Sequence, residues 1–397
     1  MSKYQIDNSL SSLLNYCEAN DFKGWDPYDG LNSKVFSALG LNRFSIFRLA
    51  WIQLFKRNPI NLRKFLLVPK GYNPKGIGLF LSGYSKVLLA TDKSKIDKIH
   101  ELRNKISHLA EILISLQSEG YSGSCWGYNF DWQARGGLFF PSGTPTVVAT
   151  TYAAFGLFDA YEATGEKRYL KTALTSANFV LNDLSRDYRE DGTFLFSYSV
   201  TKGNNTVYNA SLLGSKLLSR IYFYTKDETL INIAKGSVQA VINAQEQDGS
   251  WVYGELSIQS WKDSFHTGFN LECLADYMKY SGDTSIEESV NRGFDYYLKN
   301  FFTDDGVPKY YHNETFPIDI HSPAQLVVTI ERLGRTKEYS NLVDKVVRWT
   351  INNMKDSSGY FYYQKKKYWT NKIPYMRWSQ AWMAHSLMVH YISKNEL

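Results

Sequence analysis

The stretch Gln245-Glu246-Gln247-Asp248-Gly249-Ser250-Trp251-Val252-Tyr253 couples a turn signal to an aromatic cluster, and its outline recurs along the chain. Turn-forming pairs stand at Ser122-Gly123, Asp191-Gly192, Asp248-Gly249, Asp305-Gly306 and Ser358-Gly359. Each is followed by aromatics: Trp126 and Tyr128; Phe194, Phe196 and Tyr198; Trp251 and Tyr253; Tyr310 and Tyr311; Tyr360 to Tyr363. The glycines are 69, 57, 57 and 53 residues apart, and near-fixed spacing is the signature of a repeat architecture. A sixth, degenerate copy is expected at Gly24-Trp25-Asp26-Pro27-Tyr28.

Between these turns the chain reads as pairs of helices. Val147 to Tyr161 is apolar on more than one face, as a buried inner helix should be. Lys167 to Leu184 alternates apolar and charged residues at helical spacing, as an outer helix should. Thr164-Gly165-Glu166, Thr225-Lys226-Asp227, Ser281-Gly282-Asp283 and Gly334-Arg335-Thr336 supply the short turns between antiparallel helices. Six such units predict an all-α fold, an (α/α)6 toroid with an N-terminal helical extension. An open solenoid would need a polar cap at its end, and Ser379 to Ile392 is apolar on several faces. Residues 1–110 are expected to form an N-terminal helical region contributing the first hairpin, and residues 111–397 the toroid repeats, in one continuous domain.

Composition bounds the function. The 397 residues are 44% apolar and 21% charged, within the globular range. A net charge of +6 falls short of a nucleic-acid footprint. The 16% aromatic content calls for a large aromatic core or a stacking surface. Three cysteines, Cys17, Cys125 and Cys273, offer neither a disulfide framework nor a thiolate metal site. Met1 to Asn20 lacks the apolar core of a signal peptide, and Gly76 to Ala90 is shorter than a membrane span. The expectation is a cytoplasmic protein with no metal, no cofactor and no transmembrane segment. Phosphate-binding glycine loops, HExxH and EF-hand motifs are absent from the sequence.

In a toroid the inner helices begin around one mouth, so the residues before them are the candidate site. Three carboxylates fall there, Asp131, Asp263 and Asp319, with two imidazoles, His266 and His321. Asp263 and Asp131 are the expected acid/base pair for cleaving a glycosidic bond, with Asp319 in reserve. His266 and His321 suit proton transfer near neutral pH. Asn209, Arg377 and Gln380 are expected to hold substrate, Arg377 through a planar fork that matches a uronate carboxylate. Trp126, Trp251 and Trp378, with Tyr128, are expected to stack on sugar rings. Helix capping alone accounts for part of this pattern, and either histidine suits a buried hydrogen-bonding role as well as a site role. The predicted partner is an oligosaccharide or polysaccharide, an acidic one if Lys365-Lys366-Lys367 belongs to the binding surface.

Several blocks carry a family resemblance: Gly24-Trp-Asp-Pro-Tyr-Asp-Gly30, Trp126-Gly-Tyr-Asn-Phe-Asp-Trp-Gln-Ala-Arg135, Gly143-Thr-Pro-Thr146, Val207-Tyr-Asn-Ala-Ser211, Asp263-Ser-Phe-His-Thr-Gly-Phe-Asn270, Asp319-Ile-His-Ser-Pro-Ala-Gln325 and Pro374-Tyr-Met-Arg-Trp-Ser-Gln-Ala-Trp382. Together they resemble the VpsJ-like bacterial proteins of exopolysaccharide, capsule and O-antigen gene clusters. That group is similar in fold to six-hairpin glycosidases, which implies a glycan substrate and leaves the reaction open. Hydrolase-like cleavage, uronate elimination or C5-epimerisation, and glycan binding without turnover all remain readings of the sequence. Gln245 to Trp251 is also similar to the repeat of triterpene cyclases, but the acidic clusters that steer cation chemistry are missing.

Overall fold

A computed structural model describes residues 3–134 and 137–396; Arg135, which ends the Trp126 motif, lies outside them. Fourteen α-helices run in chain order among the described residues: α1 Lys3–Ala19, α2 Lys34–Ala38, α3 Ser45–Arg57, α4 Pro74–Leu89, α5 Ile96–Ser115, α6 Val147–Thr164, α7 Lys167–Asn178, α8 Tyr208–Thr225, α9 Glu228–Asn243, α10 Ser264–Ser281, α11 Glu287–Phe301, α12 His321–Arg332, α13 Ser340–Met354 and α14 Trp382–Glu396. Helices α4, α6, α8, α10, α12 and α14 each pack on the next, and α14 packs back on α4, so the inner ring closes. Helices α5, α7, α9, α11 and α13 stand behind their inner partners, and α1 stands behind α14. The fold is an (α/α)6 toroid whose sixth hairpin is assembled from the two ends of the described chain.

The sequence explains each layer. α6 is buried along its length from Val147 to Ala160, whereas α7 buries only Tyr169, Ala173, Ser176 and Ala177. Inner helices end on residues in the left-handed region, Gly165, Lys226 and Gly282, which reverse the chain into the outer helix. The repeated turn glycines meet two demands at once. Gly249 (φ +88°) and Gly359 (φ +105°) take left-handed backbone, and a Cβ there would collide with the backbone of Arg292 in α11 and of Ser12 in α1. Gly359 thus marks α1 as the outer helix of the last hairpin.

At the mouth, three inner-helix starts are tied to the aromatic segment of the following hairpin. Val147 N donates to Tyr198 O at 2.9 Å, Ser264 N to Tyr310 O at 2.9 Å and Ile320 N to Tyr363 O at 3.1 Å. Met376 N donates to Trp25 O at 3.1 Å, which brings the Gly24–Gly30 segment into the same rim. The boundary expected at residue 110 falls inside α5, and both α1 and α4 belong to the ring. Residues 34–70, including α2 and α3, lie against this rim: α3 contacts the short strand Trp132–Gln133. No described helix is long and apolar enough to cross a membrane.

Candidate active site at the mouth of the ring

Asp263 is the N-cap of α10, and its Oδ1 accepts the His266 backbone N–H at 2.9 Å. Its Oδ2 accepts Trp261 Nε1 at 2.9 Å and lies 2.6 Å from His266 Nδ1. The carboxylate is buried, while the His266 side chain keeps 22% of its surface exposed. A carboxylate on Nδ1 fixes the tautomer and leaves Nε2 as the working nitrogen. That imidazole packs on Tyr253 at 4.5 Å and borders a narrow recess with Asn209, Thr267 and Asn270. The amide oxygens of Asn209 and Asn270 are buried there without a protein partner, which marks the recess as polar.

One repeat further on, the same helix-start chemistry gives a different environment. Asp319 Oδ1 accepts the His321 N–H at 3.0 Å and Trp378 Nε1 at 2.9 Å, and its Oδ2 accepts Gln364 Nε2 at 2.9 Å. Burial pushes its carboxyl up to about 6, against the pull of these donors. His321 is stacked on Phe265 at 4.7 Å and boxed by Phe269, Trp378 and Trp382. Neither of its ring nitrogens has a hydrogen-bond partner. Burial, and then the nearby Lys75 and Arg377 charges, hold it well below the usual imidazole value, so it is neutral at physiological pH.

Other expected residues are placed differently. Trp126 and Trp251 are 0% and 1% exposed, and their indoles donate to Leu113 O in α5 and Val241 O in α9. They anchor each turn to an outer helix, and Trp251 also lines the recess beside His266. Arg377 grips Asp26 through two bonds, Nε to Oδ2 at 2.5 Å and a terminal nitrogen to Oδ1 at 2.8 Å, so its fork already holds a protein carboxylate. Gln380 is fully buried and clamps both backbone groups of Phe361 at 2.8 Å. Asp131 is half-buried and accepts Ser142 N at 2.8 Å; no hydrogen bond joins it to Asp263 or Asp319 among the described residues. Tyr128, Trp378 and His266 are half-buried at the mouth, Asn209 lines the recess beside His266, and His321 lies buried beneath its aromatic box.

The aromatic rim joins Tyr28 and Tyr253 to the expected Trp378 and to the loop tryptophans Trp132 and Trp261. Tyr28 packs on Trp378 at 5.8 Å and on Trp132 at 6.4 Å, and Trp132 continues to Tyr198 at 5.9 Å. Tyr253 is stacked on Trp261 at 4.5 Å. These rings are half-buried and present edges and faces to solvent. Lys75 was missed: its ammonium lies 4.5 Å from the Tyr152 ring, 4.9 Å from Phe269 and 5.2 Å from Trp382. Asn73-Pro74, an N-cap followed by proline at N1, is the local signal that would have placed Lys75 at an inner-helix start. Burial first, and Arg377 second, hold its amine well below the usual lysine value. Among the described residues no group of three His, Cys, Asp or Glu side chains converges as a metal site would require.

No protein-family model matches the chain, and no curated protein sequence is similar to it. Solved structures share the fold at low identity. A sugar epimerase from a ruminal bacterium aligns with TM-score 0.59 and 11% identity, covering 83% of this chain and 90% of that one. Cellobiose 2-epimerase from Bacillus thermoamylovorans aligns with TM-score 0.59 and 13% identity, covering 82% and 90%. A family 76 glycoside hydrolase, the α-mannanase of Bacteroides thetaiotaomicron, aligns with TM-score 0.59 and 13% identity, covering 81% and 86%. The chain therefore has the six-hairpin glycosidase-like fold.

Proposed function

We propose that the protein is a carbohydrate-active enzyme that transfers a proton at a carbon next to the carbonyl or carboxylate of a saccharide. The observation that carries this reading is the Asp263–His266 dyad: a buried carboxylate fixes one ring nitrogen of an imidazole that borders a polar recess. His266 Nε2 takes the proton, the developing negative charge spreads onto the adjacent oxygen, and reprotonation on the opposite face gives an epimer. Tyr28, Trp132 and Trp378 supply ring faces for the sugar. The sugar epimerases that share the fold support this class of reaction.

Glycosidic cleavage is the second reading, and one observation favours it: Asp319, raised to about 6, sits in the range of a general acid. Asp263 or Asp131 would then act as base or nucleophile. The family 76 hydrolase among the structural neighbours supports it. A place in exopolysaccharide or capsule synthesis rests on the motif resemblance. Incubation with reducing disaccharides and hexuronides in D2O separates the readings. Proton transfer puts deuterium on the sugar carbon without new reducing ends, and hydrolysis does the reverse.

A further inference from the structure

The segment 34–70 has a surface unlike the rest of the molecule. It holds eight Lys and Arg and no Asp or Glu, more positive charge than the +6 surplus of the whole chain. It also holds many of the exposed large apolar side chains, among them Leu39, Phe44, Ile46, Phe47, Leu54 and Phe65. Ile46 is 71% exposed and Phe65 80% exposed.

Helix α3 shows the cause. Arg48, Trp51, Ile52 and Phe55 face inward: Ile52 and Phe55 are buried, Trp51 Nε1 donates to Gly30 O and Arg48 to Gln133. Ile46, Phe47, Ala50, Leu54 and Arg57 occupy the opposite stripe at helical spacing, and all five are exposed. A surface helix normally carries polar residues on its outer face; this one is apolar on both. Arg43, Arg57 and Lys64 beside it are exposed and make no ion pair among the described residues. Apolar side chains framed by unpaired cations are what a helix lying in an anionic bilayer interface presents.

We propose that segment 34–70 docks the protein on an anionic lipid surface, with the outward stripe of α3 in the headgroup layer. The proposal is independent of the reaction at the mouth. It is also linked to it in space, because Lys56 on α3 donates to the Tyr28 hydroxyl at 2.8 Å. Docking therefore sets the rim of the mouth beside the bilayer.

Flotation of the full chain with phosphatidylcholine vesicles, with and without phosphatidylglycerol, tests this. The expected result is binding to the anionic vesicles at least tenfold stronger than to the neutral ones. The F47E/L54E variant should lose that binding, and R57S/K64S should lose about fivefold per charge removed while keeping the apolar stripe. Both pairs are exposed, so far-ultraviolet circular dichroism and melting should match wild type. Equal binding by wild type and both variants, or no binding by folded wild type, overturns the proposal. Self-association lost in F47E/L54E, without lipid binding, overturns it too and assigns the stripe to a second copy of the chain.

Discussion

Lys75 and Lys216 are both buried on inner helices of the same ring, and they live in opposite surroundings. Lys216 pairs with Glu272 and with Asp276, the latter at 2.9 Å, inside a lattice that also joins Arg220 to Asp159 at 2.6 Å and Arg332 to Asp276 at 3.5 Å. Burial there would strip the charge, but Asp276 and Glu272 overcome it and hold the Lys216 ammonium above the usual lysine value. Lys75 has three aromatic rings and no carboxylate in ion-pair reach among the described residues, and its amine is held well below that value. The deeper axis is a lattice of paired charges that links the helices, with Arg220 Nε and one terminal nitrogen left without a hydrogen-bond partner. Around the mouth, both His321 nitrogens and the Asn209 and Asn270 oxygens are buried without a hydrogen-bond partner. Polar burial is structural at one level of the ring and chemical at the other.

That contrast can be broken by substitution. His266→Gln should lower turnover by about 10²–10⁴-fold and leave the melting temperature close to wild type, as read by steady-state kinetics beside calorimetry. Lys216→Met should do the reverse, costing about 3–5 kcal/mol because Glu272 and Asp276 are left without their cation. Lys75→Met should change stability by no more than about 1 kcal/mol, since the amine has no ion-pair partner to leave stranded and the thioether can fill its aromatic surroundings. Equal losses from the two lysine variants in chemical denaturation would erase the distinction drawn here. Gly359→Ala should cost about 1–3 kcal/mol through its positive φ and loosen α1, seen as faster amide exchange in Lys3–Ala19.

Asp319 sharpens the same comparison through pH. Its folded value of about 6 lies above the ordinary carboxylate value of 3.8. The native state therefore binds this proton more tightly than the unfolded chain, and the stability it contributes is present at low pH and lost as pH rises from about 4 to about 6. Asp29 shares the direction, raised by burial to about 6, so the effect is read as wild type minus Asp319→Asn. That difference should shift against wild type by about 1.4 kcal/mol per pH unit across the window. A flat difference would mean that Asp319 stays ionised throughout.

The hairpins were legible because each is punctuated locally, by a turn pair, an aromatic cluster and a left-handed helix end. The closing hairpin was not, because α1 and α14 are neighbours in space and lie at opposite ends of the sequence. Asp263 with His266, and Asp319 with His321, were legible as helix starts because a capping carboxylate writes itself two or three residues before the N–H it accepts. The partner of Arg377 was hidden: Asp26 is 351 positions away. Nor could spacing tell which way an indole turns. Trp126 and Trp251 point down to outer-helix carbonyls, while Trp132 and Trp378 stay at the rim.

The central claim is that the His266 imidazole, held by Asp263, exchanges a proton with a sugar carbon. The direct measurement is proton NMR of saccharides recovered after incubation with the enzyme in D2O, with His266→Gln as control. The account predicts loss of a single carbon-bound proton signal with wild type and its retention with the variant. Unlabelled sugar released with new reducing ends, or equal labelling by both proteins, would contradict it.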